Sequence, residues 1–491
     1  MPAATVTVNS QLQLDVRQLG ADLCVDLQQQ LTRANPEHQR AQAAGRACHH
    51  LPAMVHLWSQ RGDQLLLPRG AVPLLRQRAA ARGVALLWRS EVVTRSTQQV
   101  HLDDLPMKLR PYQREGVQAL LQGVQGYLRA PCGAGKTVMG ASAMVASGEP
   151  GLVLVHTHDL LEQWSSLLRG WGYNVRAVAG GKLAGLRTPL RLSGGVPEFA
   201  VATVQTLARA GADASTMLRS CGAVLLDEAH HAPASTFSCL LQQLPARYRW
   251  GVTATPQRDD GWTFALPLVI GPELWGVGMQ QLVRDGHLLR PQLMRVHSGA
   301  RLDMGAASPG GKLQIARAVN QLASDRTRQQ LLLDLCQLMA ERGRTVLLLV
   351  PRVQQAHRLA EALGRRGVMS LAVTSRVGKG LRQQRLAQVR AGQVQVLVAT
   401  QLADEGLDVP GLDALVVAST GRAAGRAVQR LGRVMRVAEG KRQPLVIDVV
   451  DPTPFSGQAA ARARAYLQQL GLVAPPTITR SSLWDHLDQV L

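Results

Sequence analysis

The sequence predicts an α/β protein of doubly wound parallel sheets with an N-terminal accessory domain, and three observations carry that prediction. Ala130-Pro131-Cys132-Gly133-Ala134-Gly135-Lys136-Thr137 has the pattern of a phosphate-binding loop, with Ala in place of the first Gly. Continuous apolar runs followed by helical stretches recur at 151–155, 199–207 and 223–226, the signature of buried parallel strands and their crossovers. The last of these runs leads straight into Asp227-Glu228-Ala229-His230. Loop and acidic pair therefore fall at the carboxyl ends of strands, where sheets of this kind bind ligands.

Taken in order, residues 1–105 mix expected strands, such as Leu65-Leu66-Leu67, with expected helices, such as 72–82. Arg46, Arg61, Arg69, Arg76, Arg78, Arg82 and Arg89 give this segment a basic cast. It reads equally as a nucleic-acid-binding accessory domain or as a packing domain with a solvated basic face. A second unit, 106–280, opens with Pro111 ahead of a helical run. Gln113 in that run both donates and accepts, which suits the edge of an adenine.

The phosphate loop follows a short apolar strand around 126–128. The small residues from Pro131 through Cys132, Gly133, Ala134 and Gly135 let the backbone close around a triphosphate at a helix N-terminus. Lys136 then reaches the β- and γ-phosphates, and the Thr137 hydroxyl holds Mg²⁺. Asp227, after its apolar strand, is placed to hold the same Mg²⁺. Glu228 beside it can polarise the water that attacks the γ-phosphate. Gly251-Val252-Thr253-Ala254-Thr255-Pro256 is a further strand, ending in two hydroxyls near the same edge.

Composition narrows the partners. With 55 Lys+Arg against 34 Asp+Glu the net charge is +21, which favours a polyanion, most simply nucleic acid. Arg-rich coding is the alternative source of that surplus. No apolar run approaches the ~18 residues that would span a bilayer, and the N-terminus lacks the basic-then-apolar pattern of a secretory signal. A cytoplasmic protein without a membrane partner is expected. The six cysteines show no paired spacing, and in Cys48-His49-His50 neighbouring side chains point apart, so neither a disulfide framework nor a zinc site is indicated.

Gln113, the 130–137 loop, Asp227-Glu228-Ala229-His230 and Thr253-Ala254-Thr255 occur in the order seen in superfamily 2 helicases and translocases. The second half resembles the remaining motifs of that family. Residues 344–352 look like motif IV and 396–410 like motif V. Gln429-Arg430-Leu431-Gly432-Arg433-Val434-Met435-Arg436 matches the Gln-x-x-Gly-Arg-x-x-Arg of motif VI. The 255–261 stretch is similar to that of XPB-like, UvsW-like and RadD-like DNA helicases and restriction-type motors. It departs from the XPB pattern of Arg-Glu-Asp by carrying Asp259 in the middle place.

The resemblance implies two tandem RecA-like domains, 106–280 and 281–455, with ATP and Mg²⁺ in the cleft between them and a C-terminal helical tail, 456–491. Lys136, Thr137, Asp227 and Glu228 would come from the first, and Arg433 and Arg436 from the second, in the arginine-finger role. Gln429 would position water, and Gly406 with Asp408 would contact the ribose. His230, Thr253 and Thr255 would couple ATP state to a nucleic-acid groove lined by Thr157, Gln205, Thr206, Arg352 and Thr400. Such backbone contacts give affinity without sequence choice.

The function so implied is a nucleic-acid-stimulated ATPase that moves along or unwinds DNA, in repair, recombination or defence, with a protein partner left open. An RNA helicase and an ATP-gated clamp that binds nucleic acid without translocating are the rivals. The stretch 298–312, rich in Gly and Ala, is expected to be an exposed loop. The basic helix expected at 458–470 suits either packing or nucleic acid.

Overall fold

The computed structural model of the protein describes residues 3–96, 98–180, 184–232, 235–258, 260–303, 311–400, 409, 411–418 and 431–490. The chain divides into two compact units, 1–130 with 135–276, and 277–491 together with 131–134.

The first unit holds two sheets. Near the N-terminus a five-stranded mixed sheet runs in the order Ser59–Arg61, Gln64–Leu67, Leu12–Asp15, Ala3–Val8, Ala85–Ser90. Only its last pair is parallel. Helices Ala21–Gln30 and Val72–Ala81 bury Leu23, Leu27, Leu75 and Ala79 in its core. The second sheet has seven strands, all parallel, in the order Val175–Val178, Phe199–Thr203, Gly151–Val155, Ala223–Asp227, Tyr248–Thr253, Gln125–Arg129, Glu273–Gly276. Its four central strands, from Phe199–Thr203 to Tyr248–Thr253, are buried along their whole length. Helices on both faces exclude water, so these strands read as continuous apolar runs rather than alternating ones.

The N-terminal module is fixed to the seven-stranded sheet by two buried arginines. Arg69 donates to the carbonyls of Ala246 and Arg247 and to Gln125 Oε1, at 2.5, 2.9 and 3.1 Å. Arg249 donates to the carbonyls of Ser10, Leu241 and Leu244, each at 3.0 Å. Burial without a carboxylate partner lowers Arg69 to about 10 and drives Arg249 well below the ordinary arginine range. Arg69 thus leaves the basic face that the sequence suggested for this segment: its guanidinium is spent on backbone carbonyls. Contact is close at Gly70, where a Cβ would lie 2.1 Å from the Pro267 carbonyl oxygen.

The second unit is built on a six-stranded parallel sheet in the order Gln292–His297, Leu445–Val450, Ala414–Val417, Val346–Val350, Val396–Thr400, Ser370–Val373. Helices Arg326–Glu341 and Val353–Arg365 supply much of its core through Leu332, Leu335, Met339, Leu359 and Leu363. Two buried ion pairs brace it, Arg328 with Asp451 at 2.8 Å and Arg462 with Asp448 at 2.6 Å. Arg462 lies on helix Ser456–Leu470, so that helix is packed on the sheet through its own basic residue. The expected loop at 298–312 is only partly one. Ser298 is buried, with its N–H bonded to the Val450 carbonyl, and helix Gly311–Ser324 begins inside the stretch, whereas 304–310 lie outside the described residues. No helix among the described residues is long and apolar enough to cross a membrane.

Replacing Gly70 by Ala should destabilise the first unit by about 1–3 kcal/mol, the usual cost of overpacking against rigid neighbours. A denaturant midpoint equal to that of the unmodified protein would show that the module is not held at this point.

Candidate nucleotide site

Parallel register gathers the site. Gln125–Arg129 lies beside Tyr248–Thr253, which lies beside Ala223–Asp227, with Thr253 opposite Arg129 and Val252 opposite Asp227. The chain leaves all three strands at the same edge. The Ala130 N–H donates to the Thr253 carbonyl at 3.0 Å and fixes where the phosphate loop begins.

Two glycines turn the loop through left-handed backbone, Gly133 with φ 92° and Gly135 with φ 82°. Gly135 caps helix Lys136–Ala146, leaving the first-turn amides of an 11-residue helix facing outward beside Lys136 and Thr137, both half-buried. Gln113 packs against this turn: a Cβ on Gly135 would lie 2.5 Å from its Nε2. The Gln113 Oε1 accepts from the Arg110 N–H at 3.0 Å, capping helix Pro111–Gly123. Capping is a role that the adenine-edge expectation had not included.

Asp227 ends its strand almost wholly buried. Its Oδ1 accepts from the Glu228 N–H at 2.9 Å and its Oδ2 from the Trp164 indole N–H at 2.7 Å. Burial, and then the neighbouring Glu228 carboxylate, push Asp227 up to about 6, against the opposite pull of Trp164, Lys136 and the Glu228 N–H. Glu228 sits at φ 49°, a conformation uncommon for a non-glycine residue. That turn separates two adjacent carboxylates so that they serve different partners. The Glu228 Oε2 is buried without a hydrogen bond, with His230 Nδ1 at 3.4 Å.

His230 Nδ1 also lies 3.0 Å from the Thr253 hydroxyl, and Thr253 is bonded in turn to the Thr255 N–H and carbonyl. The two hydroxyl residues and the acidic turn are therefore one hydrogen-bonded chain. Arg258 extends it by donating to the His230 carbonyl while pairing with Asp260. The donor set fits a magnesium nucleotide. Thr137 and Asp227 offer hard oxygens of the kind Mg²⁺ prefers, Lys136 and the helix amides supply the positive end that an anion would meet, and an unsatisfied Glu228 oxygen is left for water.

The remaining expected residues are placed as follows. Thr157 caps helix His158–Gly170 by accepting from the Leu160 N–H. Gln205 is exposed on helix Val204–Ala210, whereas the buried Thr206 hydroxyl is bonded to that of Thr203 at 2.7 Å. In the second unit Arg352 and Thr400 leave adjacent strands, Arg352 bonding Asn320 Oδ1 at 2.9 Å and the Thr400 hydroxyl buried without a hydrogen bond. Arg433 and Arg436 are both half-buried, and the Arg436 backbone bridges to Leu288. Gly406, Asp408, Gln429 and Asp259 lie outside the described residues. Sequence reasoning did not single out Trp164, which reads as one more core aromatic on an amphipathic helix.

Comparison with known proteins accords with this geometry. Residues 106–258 match the family described as type III restriction enzyme, res subunit, and residues 328–438 match the helicase conserved C-terminal domain. The chain is 30% identical to putative helicase 22 of Sulfolobus islandicus filamentous virus, over 46% of its own length and 42% of that protein. It is 25% identical to the DNA 3'-5' translocase XPB2 of Sulfurisphaera tokodaii over 71% and 84%, and 27% identical to the DNA 3'-5' helicase XPB of Kineococcus radiotolerans over 74% and 63%. A fragment of a putative type I restriction HsdR subunit from Vibrio vulnificus superposes with TM-score 0.57 at 17% identity, over 77% of this chain and 70% of that one. S. cerevisiae Dbp5 bound to RNA and ADP BeF3 superposes with TM-score 0.55 at 14% identity, over 79% and 98%. Both structures show the same fold, tandem RecA-like domains, and at those identities no more than the fold. The chain is a superfamily 2 helicase-type protein carrying these two helicase domains, distantly related to the XPB-type DNA 3'-5' helicases.

Proposed function

We propose that this protein is a DNA-stimulated ATPase that uses hydrolysis to move along or unwind DNA. The observation that carries the reading is the convergence, on one edge of a parallel sheet, of Lys136 at a helix N-terminus with Asp227-Glu228 and the His230–Thr253 bond. In this reading Lys136 and the helix amides bind the β- and γ-phosphates, Thr137 and Asp227 hold Mg²⁺, and Glu228 takes a proton from the attacking water. Arg433 and Arg436 stabilise charge on the γ-phosphate, Gln429 positions water, and Gly406 with Asp408 contacts the ribose. His230 and Thr253 link the acidic turn to the hydroxyl-bearing loop that follows its neighbouring strand.

DNA is favoured over RNA by the relatives named as DNA 3'-5' helicases and translocases, and with them the 3'-5' direction. The +21 charge supports a nucleic-acid partner without choosing between the two. Thr157, Gln205, Arg352 and Thr400 are the proposed contacts to phosphate and sugar. Thr206, already bonded within the fold, acts there only by holding the turn that presents Gln205.

Steady-state ATPase measured with single-stranded DNA, duplex, fork and RNA, at several salt concentrations, tests the reading. Stimulation by DNA that weakens as salt rises is expected; stimulation by RNA alone would replace the DNA assignment. ATPase without strand displacement or movement would leave a clamp. Lys136→Ala should abolish turnover, and turnover persisting in the purified variant would remove the nucleotide site from this loop. Arg433→Ala should keep nucleotide binding and lower the rate by about 10³-fold. Equal loss of binding and rate would deny it a finger role.

A further inference from the structure

We infer that Trp164 is a positioning residue for the magnesium site, holding the Asp227 carboxylate in the orientation that receives the ion through its indole N–H. The inference rests on the nucleotide site proposed above and adds a residue that none of the helicase motifs described above contains. Trp164 lies on helix His158–Gly170, 63 residues from Asp227 in sequence, and has no exposed surface.

The geometry is specific in three respects. First, the indole is a single donor aimed at one oxygen, Oδ2, at 2.7 Å, while the Glu228 N–H takes Oδ1 at 2.9 Å. A carboxylate has about four acceptor positions, so the two donors fix the carboxylate plane and leave room for a cation on each oxygen. Second, both donors are neutral. A buried arginine at the same place would neutralise the acid and compete with a cation, whereas an indole satisfies the oxygen and leaves the negative charge intact. Third, the indole also contacts the phosphate-loop helix. Gly140 faces it so closely that a Cβ there would lie 2.8 Å from Trp164 Cη2. One rigid ring thereby sets the acid against the helix that carries Lys136 and Thr137.

Trp164→Phe keeps a ring in the core and removes the N–H. Gly140→Ala leaves the N–H but places a Cβ 2.8 Å from Trp164 Cη2 and 2.9 Å from Leu225 Cδ1, so the seat of the indole must shift or Leu225 must give way. The readout is binding of a fluorescent ATP analogue as Mg²⁺ is titrated, with the metal-free affinity measured alongside. For either variant the Mg²⁺ concentration giving half-maximal binding should rise about tenfold or more, in keeping with the worth of a hydrogen bond to a charged group, while metal-free binding stays unchanged. Mn²⁺, which oxygen and nitrogen sites hold more tightly than Mg²⁺, should restore part of the loss. Should Trp164→Phe fail to fold, Gly140→Ala alone carries the test. A Mg²⁺ requirement equal to that of the unmodified protein, or an equal loss with and without metal, would overturn the inference. Asp227→Asn separates this from failure of the site itself. If that substitution leaves the Mg²⁺ dependence untouched, Asp227 is not a magnesium ligand; if it removes the dependence while the other two variants match the unmodified protein, only the role of Trp164 falls.

Discussion

Parallel pairing among three strands of the first unit is the constraint on which the site depends. Residues more than 120 positions apart, Ala130 and Thr253, meet through one backbone hydrogen bond because their strands run side by side in fixed register. The same register puts Asp227 one strand further along. Side-chain period in a strand is two, so a slip of a single residue would turn Asp227 to the other face of the sheet. Both faces of these strands are buried, Val224, Leu225, Leu226, Trp250 and Val252 among them, so such a slip would have to repack both faces at once. Core packing therefore sets where the phosphate loop and Asp227 lie relative to one another.

The protein treats its buried acids in two ways. In the second unit Asp448 and Asp451 each face a guanidinium, from Arg462 and Arg328, which compensates their charge and makes them braces. Asp227 is as deeply placed, yet its two hydrogen bonds come from an indole and a backbone amide. Desolvation raises it accordingly. A carboxylate kept charged only by neutral donors and the field of Lys136 is an unfavourable structural element and a serviceable cation ligand. Neutral donors do not by themselves mark function, since the buried Glu149 is likewise held by the backbone N–H groups of Arg95 and Ser96.

Local patterns were legible in the sequence where a short segment carries its own signal. The 151–155 run is the strand Gly151–Val155, the 72–82 helix appears as Val72–Ala81, and Leu65-Leu66-Leu67 lies in Gln64–Leu67. The loop glycines and the acidic pair were likewise visible, because their chemistry needs contiguous residues. What remained hidden was long-range pairing. Nothing local distinguishes Trp164 from any other core aromatic, since its role arises only when helix and strand pack. Arg69 read as surface charge because it was grouped with the other arginines spread over residues 46–89, and the carbonyls that absorb it lie about 177 residues away. Thr206 was grouped with Gln205 by motif, while the turn after Phe199–Thr203 points one outward and the other back to Thr203.

The arginine pair under the N-terminal module bears on how this chain could have been assembled. Gln125, Ala246 and Arg247 are held by Arg69 and Ser10 by Arg249, so the module and the parallel sheet share a wall that neither completes alone. A motor shorn of its first hundred residues would confront solvent with carbonyls shaped for guanidinium and a channel left by Arg69. Grafting the module onto another helicase would require carrying those acceptors with it.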